Sequence, residues 1–534
     1  MSPAEILSSS THLDSPPPQT LPAGSHPSVC PGLFYAVAAS DGNLFRIRTP
    51  GGYLTAAQAH QVARFAEQMA ASIQITNRAN LQFRTQRAAV PQELLQQLQS
   101  IGLAGAEPSV DHLRNVMASP TAGIDPIALI DTRPWVAALD AYLSTHPELF
   151  PLSAKFSIGL DGRESVSVGD RRNDIGLVAM AAPQTVTKVG ASDQPTIGFR
   201  VVLMGAGDSG ETGLWIRPQQ VVRLVRIITQ AAIDLGNRLE TDPQMQPVLK
   251  GKPPRFRQIL ATVGVEQFLA RLRHHADWED QWDCSDHRMN GGESAIDQFP
   301  PGAIVPAATD DPSERSNQPF GIQAQRQAGY CAVGVEVPLG WITPDQLRAL
   351  ATLATEYGDG SLRLTPWQNL LVPNVPEANC GAFQQGLARI GLNLFPKLRW
   401  GRLVACAGLP GCQASATHTQ QHALELAHHL ESLRLERPIT LHLTGCPKSC
   451  AYHQPSEITL LGASLESAAA SPAAYHVYVN GYLAIDDAEQ IFSQPEDSPE
   501  QTPTHFGRLI AAAVPIEHIP QVIQRLIDRF QAGS

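Results

Sequence analysis

The chain has 534 residues, 43% of them hydrophobic and 17% charged, with a formal net charge of −11. Such a length exceeds one ordinary core, so two or more domains are predicted. The negative balance argues against general nucleic-acid binding, and no apolar run is long enough to span a membrane.

Residues 1–29 contain no Lys or Arg and no apolar core segment, which argues against a signal or transit peptide. They read as a disordered Ser/Pro arm, and a cytoplasmic protein is expected. Disulfides are not expected in that reducing compartment, so clustered cysteines need a metal, a cluster or catalysis to explain them.

From residue 30 to 105 a β-α-β module is predicted. Its stretch "LFRIRTPGGYLTAAQAHQVARFAEQMAASIQITNRANLQFR" has a strand ending at Pro50, a Thr55–Gln58 capping box and a helix with the apolar stripe Val62, Phe65, Ala66 and Met69. A strand "SIQIT" and a second strand after Asn80 follow. Residues 106–283 form a larger α/β module, with an amphipathic helix predicted over Pro218 to Leu235. Residues 284–325, rich in Pro, Gly, Asp and Ser, read as a linker.

The plan then repeats. Residues 326–397 contain "AVGVEVPLGWITPDQLRALATLATEYGDGSLRLTPWQNLLVP", with Pro338, the Thr343–Gln346 box, Leu347, Leu350, Leu353 and Ala354, then Asn369. Residues 398–534 form the second larger module, ending in a helix over Glu517 to Phe530. "HLRNVMASPTAGID" is similar to "WGRLVACAGLPGCQ", and "LSAKFSIGLDG" to "LHLTGCPKSCAYHQPSEITLLG". Two copies pairing about a pseudo-twofold axis are predicted; one chain completes that axis, which is compatible with a monomer.

Four cysteines occur only in the second copy: Cys406-x5-Cys412 and, after 33 residues, Cys446-x3-Cys450. Four thiolates from two loops suit a zinc ion or a 4Fe-4S cluster. The five-residue gap disfavours structural zinc, and the small residues in "CAGLPGC" and "GCPKSC" let backbone N–H groups approach cluster sulfurs. Cys30, Cys284, Cys331 and Cys380 are scattered and read as ordinary thiols.

The first copy supplies cations instead. Arg46 and Arg48 lie two apart on a strand and share a face. Arg78 and Arg84 lie in "TNRANLQFR", Arg114 in "LRNVMASP" and Lys155 in "AKFS". Singly, each reads as a solvated charge; together they suggest an anion-binding wall. Arg114 and Lys155 stand in places comparable to those of the cysteines. No catalytic residue is assigned. His418 and His422 could bind a metal from one helix face, but that face reads better as the solvated polar side opposite Ala423, Leu426, Ala427 and Leu430. The Gly-rich run Leu203 to Gly213 is a weak motif on its own.

The quartet and the duplication resemble the siroheme-containing sulfite and nitrite reductase superfamily from about Cys30 to Gly462. The resemblance implies an α+β, duplicated nitrite/sulfite reductase fold. Two ferredoxin-like half-domains would be joined to two larger α/β siroheme-reductase-like domains. It implies a 4Fe-4S cluster on the four cysteines, with Cys450 bridging to siroheme iron if a haem is present, and carboxylate- and substrate-binding roles for Arg48, Arg114 and Lys155. The superfamily carries a second lysine two residues after the first; here that position is Ser157. Within the superfamily, "CPGLF", "DGNLFRIRTPGGYLT", "AKFSIGLDG" and the tail "AYHQPSE" after Cys450 resemble the precorrin-3B synthase family. That resemblance implies an oxygen-dependent monooxygenase of cobalamin biosynthesis. Its substrates would be a polycarboxylate tetrapyrrole (precorrin-3A, closed to a ring A lactone) and dioxygen, with a mononuclear non-haem iron besides the cluster. The external donor would be an NADH-linked reductase or a ferredoxin. The alternatives are a siroheme-dependent nitrite or sulfite reductase and a non-catalytic Fe-S redox protein.

Overall fold

The computed structural model describes residues 31–182, 196–204, 210–249, 252–275, 321–394, 401–430, 439–452, 456–463, 473–480 and 506–532. The predicted arm, most of the predicted linker, Cys30, Cys284, residues 205–209 and His453 lie outside them.

The first half-domain runs β1 (Val37–Ala39), β2 (Gly42–Ile47), β3 (Tyr53–Thr55), the helix Ala56–Gln68, β4 (Ser72–Ile75) and β5 (Leu81–Thr85). Phe45 and Ile47 alternate inward on β2 and are fully buried, with Phe83 opposite Phe45. The helix starts where predicted. Thr55 Oγ1 accepts from Gln58 N at 3.1 Å, and Gln58 Oε1 accepts from Thr55 N at 2.9 Å, so two otherwise orphaned donors are satisfied.

The first larger domain forms one sheet from β6 (Val116–Ala118), β7 (Ile158–Asp161), β8 (Ile175–Ala181), β9 (Ile197–Leu203) and β10 (Glu211–Ile216). The helix Val221–Thr241 covers it, burying Leu224, Ile227 and Ile228; its predicted span was shorter.

The second half-domain repeats the first. Its elements are β11 (Gly321–Ala324), β12 (Tyr330–Val335), β13 (Trp341–Ile342), the helix Pro344–Tyr357, β14 (Ser361–Leu364) and β15 (Leu370–Pro376). The second larger domain has β16 (Gly401–Ala405), the helix Thr419–Leu430, β17 (Ile439–Thr444), β18 (Ile458–Ala463), β19 (Ala474–Val479) and β20 (Arg508–Pro515), then the helix Ile519–Ala532. Both larger sheets have two parallel pairs followed by two antiparallel ones.

The half-domains exchange edge strands. β3 of the first pairs antiparallel with β14 of the second, and β13 of the second pairs antiparallel with β4 of the first. This reciprocal exchange is what a twofold relation between the modules produces. It completes two five-stranded sheets over a single shared core, in which Phe65 and Ala66 sit with Leu347, Leu350 and Ala354. Leu353, predicted on the apolar stripe, is half-buried, and Ala351 takes the fully buried place.

Each half-domain also packs on the loops of the other copy. Arg363 Nη1 donates to Pro120 O and Ala122 O at 2.7 and 2.8 Å, and Arg326 N donates to Ile124 O. In the opposite sense, Asn77 Nδ2 donates to Cys450 O and Ala451 O at 3.2 and 3.1 Å. The fold therefore carries residues of the first copy to the cysteine loops of the second.

Candidate active site

Cys406 follows the last residue of β16, and Cys446 lies two residues after β17. β16 and β17 are parallel neighbours, so both loops leave the same sheet edge, the usual place for a site in an α/β sheet. Gly445 N donates to Cys406 Sγ at 3.2 Å, and Thr419 Oγ1 donates to Cys406 O at 2.8 Å. Although Cys450 reaches the surface, its loop withholds water, and that burial raises its thiol pKa. Cys446, Cys406 and Cys412 raise it further, while Lys155 lowers it. The four thiols thus share one field, and a cation of the first copy faces them. None forms a disulfide.

Among the described residues no three His, Cys, Asp or Glu side chains converge tightly enough to hold a single metal ion. A cube with iron at four corners spaces its thiolates more widely than one tetrahedral ion does. Soft thiolates with a backbone N–H aimed at sulfur are the donor set of an Fe-S cluster, so the residues present fit that group.

The six predicted cations differ in what they do. Lys155 is exposed beside the thiols. Arg84 also reaches the cysteine loop, since a methyl on Gly411 would come within 2.8 Å of Arg84 Nη1; it pairs with Asp41 at 2.6 Å. Arg46 donates to Gln82 Oε1 at 2.7 Å. Arg48 is buried, donates to Pro31 O at 3.3 Å and leaves its Nε without a partner. Burial, then the charge of Arg48, holds buried His112 down to about 4. Arg114 is clamped by both oxygens of Asp140 at 2.8 Å and by Gly102 O at 2.9 Å, which commits its guanidinium to tying the first half-domain to the first larger domain. Arg78 donates to Asn173 Oδ1 at 2.7 Å and Arg172 O at 2.6 Å.

Strand register corrects one expectation. Val116 pairs with Ile158 and Ile158 with Ile175, as Leu403 pairs with Leu441 and Leu441 with Ile458. Ser119 therefore stands where the second copy has Cys406, and Arg163 where it has Cys446; equal spacing brings Asp125 and Ser167 to Cys412 and Cys450. Arg114 and Lys155 lie before their strands and are not the cysteine counterparts. A hydrogen-bond network fills the first copy's loops instead. Asp125 Oδ2 accepts from Thr121 and Ser165, and Asp161 Oδ2 from Ser167.

Ser157 is buried, and its N–H and hydroxyl turn to Asp174 Oδ2 at 2.9 and 3.4 Å. Burial pushes the Asp174 carboxyl up to about 6, against hydrogen bonds from Ser157 and the charges of Arg78 and Arg255. A raised folded-state pKa means the folded protein binds the proton more tightly. This contribution is full below pH about 4 and is lost as pH rises through about 6. Asp174→Asn is expected to flatten the fall in thermal stability between those values; an unchanged slope contradicts the assignment.

His422 is not placed as a ligand: it is buried, and its Nδ1 lies 2.7 Å from the hydroxyl of fully buried Tyr475. Sequence reasoning missed Asn77 and Arg171. The neighbouring run "TNRAN" was noticed for its arginines, and "DRRND" resembles an ordinary surface charge pair.

The fold and this site define a class, and comparisons with known proteins agree. The family model "Nitrite/Sulfite reductase ferredoxin-like half domain" matches residues 38–101 and 323–390, and "Nitrite and sulphite reductase 4Fe-4S domain" matches residues 109–280. The chain belongs to the nitrite and sulfite reductase superfamily, and a 4Fe-4S cluster and siroheme are the cofactors this membership supports. The second match covers the copy with Ser119 and Arg163; the cysteine quartet lies in its repeat.

Among particular proteins, the chain is 28% identical to the ferredoxin–nitrite reductase of Synechococcus elongatus, over 94% of this chain and 89% of that protein. It is 26% identical to the chloroplastic ferredoxin–nitrite reductase of Arabidopsis thaliana, over 94% and 78%. It is 25% identical to sulfite reductase [ferredoxin] 2 of Mycolicibacterium paratuberculosis, over 83% and 74%. The structure of Mycobacterium tuberculosis NirA protein matches with TM-score 0.64 and 21% identity, over 90% of this chain and 80% of that one, a likeness of fold.

These findings overturn the precorrin-3B synthase reading. That reading weighed short stretches, "CPGLF", "DGNLFRIRTPGGYLT", "AKFSIGLDG" and the tail after Cys450, of which residues 453–455 lie outside the described structure. Similarity running over nearly the whole chain lies with nitrite and sulfite reductases. The monooxygenase activity, the tetrapyrrole substrate and dioxygen that came with it fall with it, and the mononuclear iron loses the resemblance that implied it.

Proposed function

We propose that the chain is a ferredoxin-dependent nitrite reductase. The observation that carries the reading is the meeting of four thiols from one copy with exposed Lys155 from the other, on a chain similar over 94% of its length to proteins of that name. When bound, the cluster and siroheme supply single electrons and an iron at which a small oxyanion is reduced.

The residues have separable tasks. Cys406, Cys412, Cys446 and Cys450 would hold the cluster. Lys155 Nζ attracts the anion locally against a chain charge of −11 and carries a proton to an oxygen that leaves as water. Arg84, half-neutralised by Asp41, keeps a positive edge on the cysteine loop, while Asn77 fixes the Cys450 backbone. A cluster held on reduced thiolates fits a reducing, cytoplasmic setting. Among the described residues no helix is long and apolar enough to cross a membrane.

The test is turnover by anaerobically purified, cofactor-loaded protein with reduced ferredoxin or a reduced viologen dye. Nitrite is expected to disappear with ammonium as product, faster than sulfite yields sulfide. Sulfite as the better substrate would favour the second reading, which the mycobacterial relative supports. Turnover of neither contradicts both.

A further inference from the structure

We infer that Arg171 is an anion-binding residue of this site, taking a carboxylate or oxyanion on a guanidinium stacked against Trp367. The inference rests on the reductase reading only for the anion's identity.

Arg171 belongs to the first larger domain, in the turn between β7 and β8, where its N–H donates to Val168 O at 2.9 Å. Its guanidinium carbon lies 4.8 Å from the ring centroid of Trp367. Trp367 comes from the second half-domain and is itself buried among Met117, Val166 and Val168. One face of the guanidinium is thus fixed by an immobile ring. Stacking of this kind leaves the hydrogen-bonding edge open.

That edge is unused. Arg171 Nε is buried without a partner, and among the described residues no hydrogen bond or carboxylate salt bridge reaches the guanidinium. A second cation stands beside it: Arg171 is one of the charges acting on Arg78, itself deeply buried. Burial holds both guanidinium pKa values below their ordinary range. Desolvating two neighbouring like charges costs several kcal/mol unless something negative pairs with them. Arg78 has its donors on Asn173 Oδ1 and Arg172 O, so it grips the backbone carrying Arg171 and is a positioning residue. The neighbouring carboxylate of Asp170 acts on Arg171 without a salt bridge to it, and so does Tyr452, two residues beyond Cys450, which puts Arg171 near the thiol loop. A planar fork held rigid, desolvated and unpaired is the arrangement that binds a carboxylate or oxyanion in bidentate fashion.

Two sources share that chemistry: the substrate anion and a carboxylate of the siroheme. Arg171→Gln and Arg171→Lys in the full-length loaded protein separate them. The measurements are nitrite binding by calorimetry, KM and kcat with a reduced viologen dye, and siroheme extracted per chain. If the anion is substrate, Arg171→Gln weakens nitrite binding and raises KM about tenfold to a hundredfold, the loss expected for one charge-assisted contact. Siroheme per chain then stays constant. If the anion is a siroheme carboxylate, siroheme per chain falls severalfold. In both cases Arg171→Lys, which keeps the charge but loses the fork, gives a smaller change. Wild-type nitrite affinity and siroheme content in Arg171→Gln would overturn the inference; should that variant fail to fold, wild-type values in Arg171→Lys would do so. Failure of the reductase reading shows elsewhere, in a wild type that reduces neither nitrite nor sulfite. Arg171 is then judged on nitrite binding alone.

Discussion

Cys450→Ser is expected to lose most of the iron and acid-labile sulfide, and dye-linked nitrite reduction should fall by more than a hundredfold. Loss of a mere outer-shell partner typically costs about ten- to a hundredfold, and this is a proposed ligand. Serine preserves shape but not softness. Its hydroxyl stays protonated near neutral pH and is a poor ligand for cluster iron, whereas a thiol ionises readily beside a metal. Cys450 is the thiol that feels Cys406, Cys412, Cys446 and Lys155 together, so its loss would remove the ligand on which both copies act. The control is Cys380→Ser. Cys380 is buried in the shared half-domain core beside Cys331, and iron per chain should be unchanged there. Equal iron and sulfide in Cys450→Ser and wild type would refute the ligand assignment.

The second large effect is on stability, at Gly52. The residue precedes β3 with φ +75°, and a methyl there would lie 2.3 Å from Leu364 O. Its counterpart Gly340 precedes β13 with φ +78°, where a methyl would lie 2.6 Å from Ile75 O. Ile75 and Leu364 are themselves equivalent, the last residues of β4 and β14. The two glycines therefore sit at the two crossing points where the half-domains exchange strands. Both the left-handed backbone and the close approach to a carbonyl demand the absence of a Cβ. Gly52→Ala is expected to cost about 3 kcal/mol or more, combining backbone strain with a backbone-against-backbone clash that no rotamer relieves. A thermal or denaturant midpoint equal to wild type would contradict the role given to the exchange.

Much of the half-domain plan was legible because its signals are local. Capping boxes, prolines at helix starts and a strand after each Asn are read within a few residues, and Thr55, Thr343, Asn80 and Asn369 all stand where those signals place them. The strand exchange was not legible. β3 and β13 have three and two residues, too few for a periodic signal, and their partners lie some 270 to 310 residues away in sequence. The cysteine quartet declared itself by spacing, since thiols are rare and rarely cluster by chance. The cation wall was only half legible, because an arginine's letter does not reveal its partner. Arg114 reads the same whether it faces an anion or Asp140, and only packing shows that its fork is occupied while that of Arg171 is open. The substrate was the least legible, because a few short stretches and the tail beyond Cys450 resemble one branch of the superfamily while similarity over nearly the whole chain lies with another.

The most direct test of the central claim, a cluster on four cysteines of the second copy beside a siroheme, is a cofactor inventory of the anaerobically purified chain by metal and sulfide analysis, pigment extraction and absorption. The account predicts about five iron and four sulfide per chain, four iron in the cluster and one in siroheme, with a Soret-type band and an extractable siroheme. Iron and sulfide without any tetrapyrrole pigment, or pigment with the iron and sulfide of the cluster unaffected by Cys450→Ser, would contradict it.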